Sequence, residues 1–150
     1  MERRKPRSPR DPSGARSRAL VLHIDGSVEG NPGPGGIGVV VEDEGGTLVE
    51  AWGEAIGHVT NNQAEYQALL AGLKKARQLG AKAVTVRSDS QLLVRQFLGE
   101  YRVKDATLKH LHAEARRLAE RFERFVIEHV RREANRAADR LANRARLGPR

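Results

Sequence analysis

Residues Ala19–Ser27 read ALVLHIDGS and decide the fold class of this 150-residue chain. Every second residue from Leu20 to Ile24 is a leucine or isoleucine, which is the period of a β-strand that buries one face. The strand ends at Asp25, and α/β proteins bind their ligands in crevices at the carboxyl ends of strands. This stretch therefore predicts a sheet and a candidate functional position at its edge.

Outward from this strand, hydrophobic periodicity and turn residues predict the remaining elements. Further strands are expected at Ile37–Val41, Thr47–Ile56, Ala83–Arg87 and Phe125–Val130. Helices are expected from Asn61 or Asn62 to Leu79, over a segment that includes Leu92–Phe97, and over Ala106–Arg121 and Glu133–Arg146. Three consecutive strands followed by alternating strands and helices predict an α/β fold with a mixed five-stranded sheet flanked by helices on both faces.

The composition narrows the classes of protein to consider. A length of 150 residues suits one ordinary domain. No run approaches the roughly 18 apolar residues that cross a bilayer, and the N-terminus lacks the apolar core of a signal peptide, so we expect no membrane partner. Because the chain has no cysteine, disulfides, thiolate metal sites and cysteine nucleophiles are excluded. We expect a cytoplasmic protein.

Charge is distributed unevenly along the chain. The net charge of +8 comes from 27 Lys and Arg residues against 19 Asp and Glu residues, and it indicates a polyanionic partner. Residues 1–18 hold seven basic residues, two acidic residues and three prolines, so we expect a disordered basic N-terminal arm there and a folded domain over residues 19–150. Such an arm either holds nucleic acid loosely or is a solvated tail.

The region 19–94 is acidic, with nine acidic and five basic residues. An acidic cluster in a protein that otherwise attracts anions is explained by bound divalent metal. Ion pairs along helix faces are the alternative explanation, and charge alone does not decide between the two.

A glycine-rich stretch follows the first strand. Gly33–Gly38 matches the G-x-G-x-x-G pattern of dinucleotide sites, in which the glycines must open a helix. Here they lead into Val39–Val41, which is β-branched and favours a strand, so a dinucleotide site is a poor interpretation. We expect Gly30–Gly36 to form a tight loop beside the end of the first strand.

Two aspartates follow predicted strands. Asp25 ends the first strand in Asp-Gly-Ser, and Asp89 follows the fourth in Ser-Asp-Ser. Both positions favour a shared site at the edge of the sheet. Each also has a local explanation, since Asp25 can cap a turn and Asp89 can cap a helix.

Two further carboxylates lie on or beside apolar helix faces. Glu65 lies among alanines and leucines, and Asp139 lies within Ala-Ala-Asp-Arg-Leu-Ala. A carboxylate there must be paired, protonated or bound to metal. The local explanations are a capping box begun at Asn62 for Glu65 and an ion pair with Arg136 or Arg140 for Asp139.

Four ordered motifs resemble those of type 1 ribonuclease H. They are Asp25-Gly26-Ser27-x-x-Gly30-Asn31-Pro32-Gly33-Pro34-Gly35-Gly36-x-Gly38, Thr60-Asn61-Asn62-Gln63-Ala64-Glu65, Ser88-Asp89-Ser90-Gln91 and Asn135-x-x-Ala138-Asp139-x-Leu141-Ala142. The resemblance covers the chain from about Leu20 to Arg146 and implies a ribonuclease H-like fold. It also implies an endonuclease that hydrolyses the RNA strand of RNA/DNA hybrids with two Mg²⁺ ions, for which Mn²⁺ is an alternative, and leaves 5′-phosphate ends.

The resemblance assigns the four carboxylates as catalytic metal ligands. Asp25 would bridge both ions, Glu65 and Asp89 would hold the ion near the leaving group, and Asp139 would complete the site of the ion that delivers the attacking water. This agrees with general chemistry, because Mg²⁺ prefers hard oxygen ligands and two ions can activate the nucleophile and stabilise the leaving oxygen.

Other positions of the same motifs imply contacts with the substrate. In the family these segments reach the minor groove, where a 2′-OH distinguishes RNA from DNA. The candidate substrate-binding residues are Gly26, Ser27, Asn31, Thr60, Asn61, Asn62 and Gln63. Of these, Asn31 and Thr60 are candidates for holding a phosphate of the DNA strand, while Asn61 and Asn62 have helix capping as an alternative role.

The sequence departs from longer family members in two segments. Phe97–Asp105 has no inserted basic, tryptophan-rich handle, so affinity would depend on the arm or on arginine-rich helix faces. Val130–Asn135 lacks the loop histidine of longer members, and Arg131 or Arg132 could act electrostatically instead. These features resemble the compact branch of the family, some members of which also attack RNA/RNA duplexes.

Two alternatives remain open beside a hybrid-specific enzyme. One is a binding module for hybrids or duplexes with little activity, suggested by the missing histidine and handle. The other is a nuclease of the same fold that acts on double-stranded RNA or DNA. We expect a monomer in each case.

Overall fold

The computed structural model describes residues 19–148, so the predicted arm over residues 1–18 lies outside the described residues. The strands are β1 (Ala19–Val28), β2 (Gly33–Asp43), β3 (Leu48–Val59), β4 (Ala83–Ser88) and β5 (Arg124–His129). The helices are α1 (Asn61–Gln78), α2 (Gln91–Phe97), α3 (Ala106–Ala119) and α4 (Arg136–Leu147), with a short 3-10 helix over Arg132–Asn135. The last predicted helix, Glu133–Arg146, is thus divided between a 3-10 turn and α4.

The strands form one mixed sheet in the order β3-β2-β1-β4-β5. β1 pairs antiparallel with β2 and parallel with β4, and β5 extends the parallel half. The predicted α/β fold with a mixed five-stranded sheet is confirmed. Central β1 is flanked on both sides, which agrees with its buried leucines and isoleucine.

β2 begins earlier than predicted. Gly33–Gly36 were expected to complete a loop, but they belong to β2, where Gly35 lies opposite Val28 of β1 and Gly57 of β3. Strand pairing uses backbone groups, so a glycine run can extend a strand when partners flank it on both sides. The connection between β1 and β2 is thereby reduced to residues 29–32.

α1 covers one face of the sheet and forms the main core. Gly72 lies against the side chains of Leu22 and Ile24, and the buried Leu69 and Leu73 belong to the same hydrophobic cluster. Each fully buried leucine contributes about 1.5–3 kcal/mol. α3 packs on α1, so both helices lie on this side of the sheet.

α4 covers the opposite face, where glycines allow a close approach. Gly38 faces α4, and a Cβ atom built on Gly38 would lie 2.1 Å from the carbonyl oxygen of Ala138. Cβ atoms built on Gly36 and Gly53 would likewise lie 2.5 and 2.6 Å from carbonyl oxygens of the α4 backbone. The glycine-rich stretch therefore makes room for the backbone of α4.

The helix caps differ from the predicted ones. Thr60 caps α1, and its capping box is completed by Gln63, so neither the Asn61 or Asn62 cap nor the Glu65 capping box is formed. Ser90 caps α2, which contradicts a capping role for Asp89. Neither the Glu65 nor the Asp89 carboxylate therefore takes part in capping a helix.

Among residues 19–148, no helix combines the length and the apolar character needed to cross a membrane.

Candidate active site

The parallel pairing of β1 and β4 places two aspartates at one edge of the sheet. Ile24 lies opposite Ser88 in this pairing, and Asp25 and Asp89 each follow by one residue. Asp25 is only 3% exposed, whereas Asp89 is half-buried. The two carboxylates therefore meet at the carboxyl end of the parallel half, as the sequence predicts.

Gly26 brings α1 to the same edge. A Cβ on Gly26 would lie 2.6 Å from the backbone carbon of Ala64, so only a glycine lets the first turn of α1 lie this close to β1. The backbone N–H of Gly26 donates to Oε1 of Glu65 at 3.0 Å. This contact fixes the Glu65 carboxylate beside the end of β1.

Three carboxylates consequently form a compact cluster. Asp25, Glu65 and Asp89 each offer an oxygen, and these oxygens lie within 4.8 Å of one another. Asp139, on the first turn of α4, lies close enough to raise the pKa of Asp25 through its side chain and charge. The structure thus brings together all four carboxylates that the sequence singles out, with Asp139 outside the tightest group of three.

The cluster is electrostatically unfavourable without a cation. Burial, followed by the charges of Glu65 and Asp89, raises the pKa of Asp25 to about 10. Burial and the charge of Asp89 raise the pKa of Glu65 to about 8, against the opposing effects of the Gly26 N–H and the Arg132 charge. Converging carboxylate oxygens with such pKa values fit divalent metal, which would neutralise their repulsion.

Asn135 anchors α4 next to this cluster. Its side chain is almost completely buried, and Nδ2 donates to the carbonyl oxygen of Ile24 at 2.8 Å. That bond ties the end of the 3-10 helix to the residue before Asp25. Sequence reasoning included Asn135 in a motif without giving it a role, because its partner is a backbone atom 111 positions away.

The predicted substrate residues at the start of α1 are held by local hydrogen bonds. Oγ1 of Thr60 accepts from the N–H of Gln63, whose Oε1 accepts in return from the N–H of Thr60. Oδ1 of Asn31 accepts from the N–H of Asn61 at 2.9 Å. The loop after β1 and the start of α1 therefore form one surface next to Glu65, on which Asn61 is exposed and Asn62 half-buried.

Ser27 does not join that surface. Its hydroxyl donates to Oδ1 of Asn143 and accepts from Nε of Arg146 at 2.8 Å, and both partners belong to α4. Arg146 also reaches Glu29 at 3.5 Å. In this structure Ser27 fastens β1 to α4 rather than facing the edge that Asn31 and Asn61 share.

The short segment before α4 supplies positive charge in place of a histidine. Arg132 lowers the pKa of Glu65 and lines, together with Asp139, an open concavity beside the cluster. The remaining lining residues of this concavity are Glu133, Arg136, Arg140 and Asn143. Of the two arginines suggested by the sequence, Arg132 is the one whose charge lowers the pKa of Glu65.

Comparison with known proteins extends over most of the chain. The family described as reverse transcriptase-like matches residues 23–145. The bifunctional protein Rv2228c of Mycobacterium tuberculosis is 46% identical over 128 residues, which cover 84% of this chain and 35% of that protein. Ribonuclease HI of Halobacterium salinarum is 43% identical over 124 residues, covering 82% and 62% respectively. The matched part of the chain thus spans between a third and two thirds of the length of these two curated relatives.

The fold of the chain is similar to that of solved ribonuclease H structures. The N-terminal RNase H domain of Rv2228c superimposes with a TM-score of 0.84 at 44% identity, covering 87% of this chain and 94% of that one. RNase H1 of Halobacterium salinarum gives 0.83 at 40% identity, covering 85% and 96%. LC11-RNase H1, solved in complex with an RNA/DNA hybrid, gives 0.80 at 41% identity, covering 84% and 95%.

Proposed function

The chain belongs to the type 1 ribonuclease H family, and from this membership we propose that it is a metal-dependent endoribonuclease that hydrolyses the RNA strand of RNA/DNA hybrids. The observation that carries the proposal is the meeting of Asp25, Glu65 and Asp89 within 4.8 Å at the carboxyl end of the parallel strands. A relative of the same fold has been solved with a hybrid bound, which supports this class of substrate.

Four carboxylates would hold the metal. We assign Asp25 to the centre, Glu65 and Asp89 to the leaving-group side, and Asp139 to the side of the attacking water. Two Mg²⁺ ions, or Mn²⁺ as an alternative, would supply a hydroxide nucleophile near neutral pH and stabilise the charge on the leaving oxygen. Their binding would also favour the ionised forms of the carboxylates, against burial and mutual repulsion.

The protein's own contribution is to hold these oxygens in place. The Gly26 N–H orients the Glu65 carboxylate. Asn135 fixes the segment before α4 against the carbonyl of Ile24, which sets the position of Asp139 relative to Asp25. Such preorganisation lets the charged groups act without rearrangement during the reaction.

The surface formed by the β1–β2 loop and the start of α1 is assigned to the hybrid. Because Thr60 caps α1, the side chains of Asn61 and Asn62 are free of capping and available to base edges or a 2′-OH. Thr60 keeps its hydroxyl proton, and Asn31 keeps its amide N–H groups, as donors to a phosphate of the DNA strand. Gly26 and Gln63 shape this surface through backbone contacts and the cap. Ser27 remains a predicted contact whose hydroxyl is already engaged by α4.

Arg132 is assigned the electrostatic part that a histidine has in longer family members. Its guanidinium acts on Glu65 and lies on the side of Asp139, where it would attract the phosphate being cut and the phosphate product. The monomeric state, the cytoplasmic location and activity on double-stranded RNA remain predictions.

The test uses an RNA strand labelled at one end and annealed to DNA. Incubation with Mg²⁺ should cut the labelled strand, while incubation with EDTA or the Asp89→Asn variant should leave it intact. Asp43→Asn is the matched control. Asp43 lies opposite Leu20, at the end of β1 away from the carboxylate cluster, so this variant should cut the hybrid normally.

The outcomes separate this function from its alternatives. Folded protein that binds the hybrid but yields no product with Mg²⁺ or Mn²⁺ would establish a binding module instead. Faster cutting of double-stranded RNA or DNA than of the hybrid would establish a nuclease of different specificity.

A further inference from the structure

A row of exposed arginines runs along the last helical segment of the described chain. Arg132, Arg136, Arg140 and Arg144 recur every four residues from the 3-10 helix through α4, and all four are exposed. Arg136, Arg140 and Arg144 lie four apart in α4, so they share a face and are separated by about 6 Å along the axis. Arg132 precedes α4 and lines the same concavity as Arg136 and Arg140. We call these four residues the arginine row.

The arginine row has no acidic partners within residues 19–148. None of its guanidinium nitrogens lies within 4.0 Å of a carboxylate there, whereas Arg87 pairs with Glu128 at 2.9 Å and Arg95 with Glu100 at 3.1 Å. The charge of Arg132 acts on Glu65, but no member of the row forms an ion pair with a described carboxylate, so the row remains available to an external anion.

This arrangement does not favour the stability of α4. Arg136 occupies the first turn of the helix, where the helix dipole disfavours positive charge. Arginines four residues apart on one face also repel each other. Arg144 lies in the last turn, where the dipole favours its charge, but the fold gains nothing evident from Arg136 and Arg140, which indicates that these two have another role.

The row lies directly beside the carboxylate cluster. Three of its members, Arg132, Arg136 and Arg140, line an open concavity of about 510 Å³ together with Asp139. Asp139 in turn acts on Asp25. A phosphate strand whose scissile group sits at the carboxylates would therefore pass next to the arginines.

We propose that the arginine row binds backbone phosphates of the RNA strand next to the bond that is cut. This inference rests on the proposed function and specifies how the enzyme holds its substrate. Guanidinium groups pair with phosphates in a bidentate manner, and a row of them follows a charged strand without reading its sequence. The row would supply affinity that the short Phe97–Asp105 segment, which has no inserted handle, does not provide.

The experiment compares binding by two double variants. Arg136→Gln/Arg140→Gln removes the centre of the row, and Arg117→Gln/Arg121→Gln removes two exposed arginines of the α3 region as a matched control. Each is combined with Asp25→Asn to prevent cleavage, and the affinity for a fluorescein-labelled hybrid is measured by anisotropy over a series of KCl concentrations.

We expect the row variant to bind roughly 10-fold more weakly at low salt and to lose about one unit of salt slope per arginine. The control variant should match the parent. Because neither Arg136 nor Arg140 has a described ion-pair partner or lies in the last turn of α4, the melting temperature of the row variant should equal or exceed that of the parent. Weaker binding would then not reflect unfolding.

A second measurement identifies the strand. Neutral methylphosphonate linkages are placed singly along the RNA strand or the DNA strand near the cutting site. RNA-strand substitutions should weaken binding by the parent and have much less effect on the row variant, while DNA-strand substitutions should affect both proteins equally.

The failures of the two proposals are distinguishable. If the wild type cuts the hybrid but the row variant keeps an unchanged salt slope, the proposed role of the arginine row is wrong and the proposed enzyme activity is supported. If the wild type binds the hybrid without cutting it and the row variant has a reduced salt slope, the proposed enzyme activity is wrong and phosphate binding by the row is supported. Wild-type protein that neither binds nor cuts a hybrid overturns both.

Discussion

The backbone N–H of Gly26 donates to Oε1 of Glu65 at 3.0 Å and thereby joins β1 to α1 near the start of the helix. The bond is formed because Gly26 has no side chain, since a Cβ there would lie only 2.6 Å from the backbone carbon of Ala64. One glycine therefore controls both the packing of α1 and the position of a candidate metal ligand.

The Gly26→Ala variant should lose both stability and activity. The added methyl group would lie 2.6 Å from the Ala64 carbon and 2.8 Å from the Glu65 nitrogen, and these backbone atoms cannot give way easily. We expect a loss of about 1–3 kcal/mol in the free energy of unfolding, as for other overpacked sites. Hybrid cleavage should fall at least tenfold, because the Glu65 carboxylate moves with α1.

Gly45→Ala is the control for this variant. A Cβ there meets nothing nearer than Oδ1 of Asp43, at 3.5 Å, so its cleavage rate should be unchanged. Normal cleavage and melting temperature in Gly26→Ala would contradict the proposed role of the close contact.

The metal-free protein should become more stable when Asp25 is replaced by asparagine. Folding raises the pKa of Asp25 from its ordinary value of 3.8 to about 10. The folded state then holds a proton that the unfolded chain releases, so the free energy of unfolding decreases as the pH rises above about 4. In EDTA at neutral pH, the free energy of unfolding of Asp25→Asn should therefore exceed that of the wild type, because the variant has no carboxyl group to ionise on unfolding.

Metal should reverse this order. On the proposed function, Mg²⁺ would bind only the folded cluster, so it should raise the melting temperature of the wild type and have little effect on Asp25→Asn. Thermal denaturation with Mg²⁺ or EDTA at several pH values measures both effects. Identical melting curves for the two proteins in EDTA would show that burial and the neighbouring carboxylates do not raise the pKa of Asp25.

The fold was predictable where side-chain pattern determines structure, and less so where backbone contacts do. The alternation in Leu20–Ile24 identified β1, and the carboxylates at strand ends identified the site edge. Gly33–Gly36 gave no such signal, because a glycine run becomes a strand only through its partners on β1 and β3.

Helix caps and distant contacts limited the rest of the prediction. Thr60 and Asn61 are both good capping residues, and Thr60 caps α1 through the Thr-x-x-Gln pattern that it forms with Gln63, a local signal that the prediction missed. The role of Ser27 depends instead on Asn143 and Arg146 of α4. Such contacts between distant segments leave no local pattern in the sequence.

The half-buried His112 should make the stability depend on mildly acidic pH. Burial, together with the charge of Arg116, lowers the pKa of His112 below 6.5, against a hydrogen bond with the backbone of Gln96 that raises it. Its ring lies edge-on to Tyr66 and Phe97, with Nε2 unpaired among the described residues. The unfolded chain binds a proton more readily, so the stability should fall as the pH decreases below about 6.5.

The measurement is the free energy of unfolding of the wild type and His112→Gln between neutral and mildly acidic pH. The wild type should lose more stability than the variant over this range. His110→Gln, which replaces an exposed histidine on the same helix, should keep the wild-type pH dependence. Equal slopes for wild type and His112→Gln would show that His112 titrates normally.

The last prediction concerns the contact between Asn135 and Ile24. In Asn135→Ala the buried carbonyl oxygen of Ile24 loses its 2.8 Å donor, which should cost about 1–3 kcal/mol. The segment that carries Asp139 is then held less firmly against β1, so cleavage should fall through kcat while the affinity for the hybrid stays near the wild-type value. Asn135→Asp should lose more stability and more activity than Asn135→Ala, because it places a carboxylate oxygen against the Ile24 carbonyl and adds negative charge beside Asp25. Chemical denaturation and single-turnover cleavage of both variants separate the two effects, and a variant that is destabilised but cuts at the normal rate would show that Asn135 supports the fold without positioning Asp139.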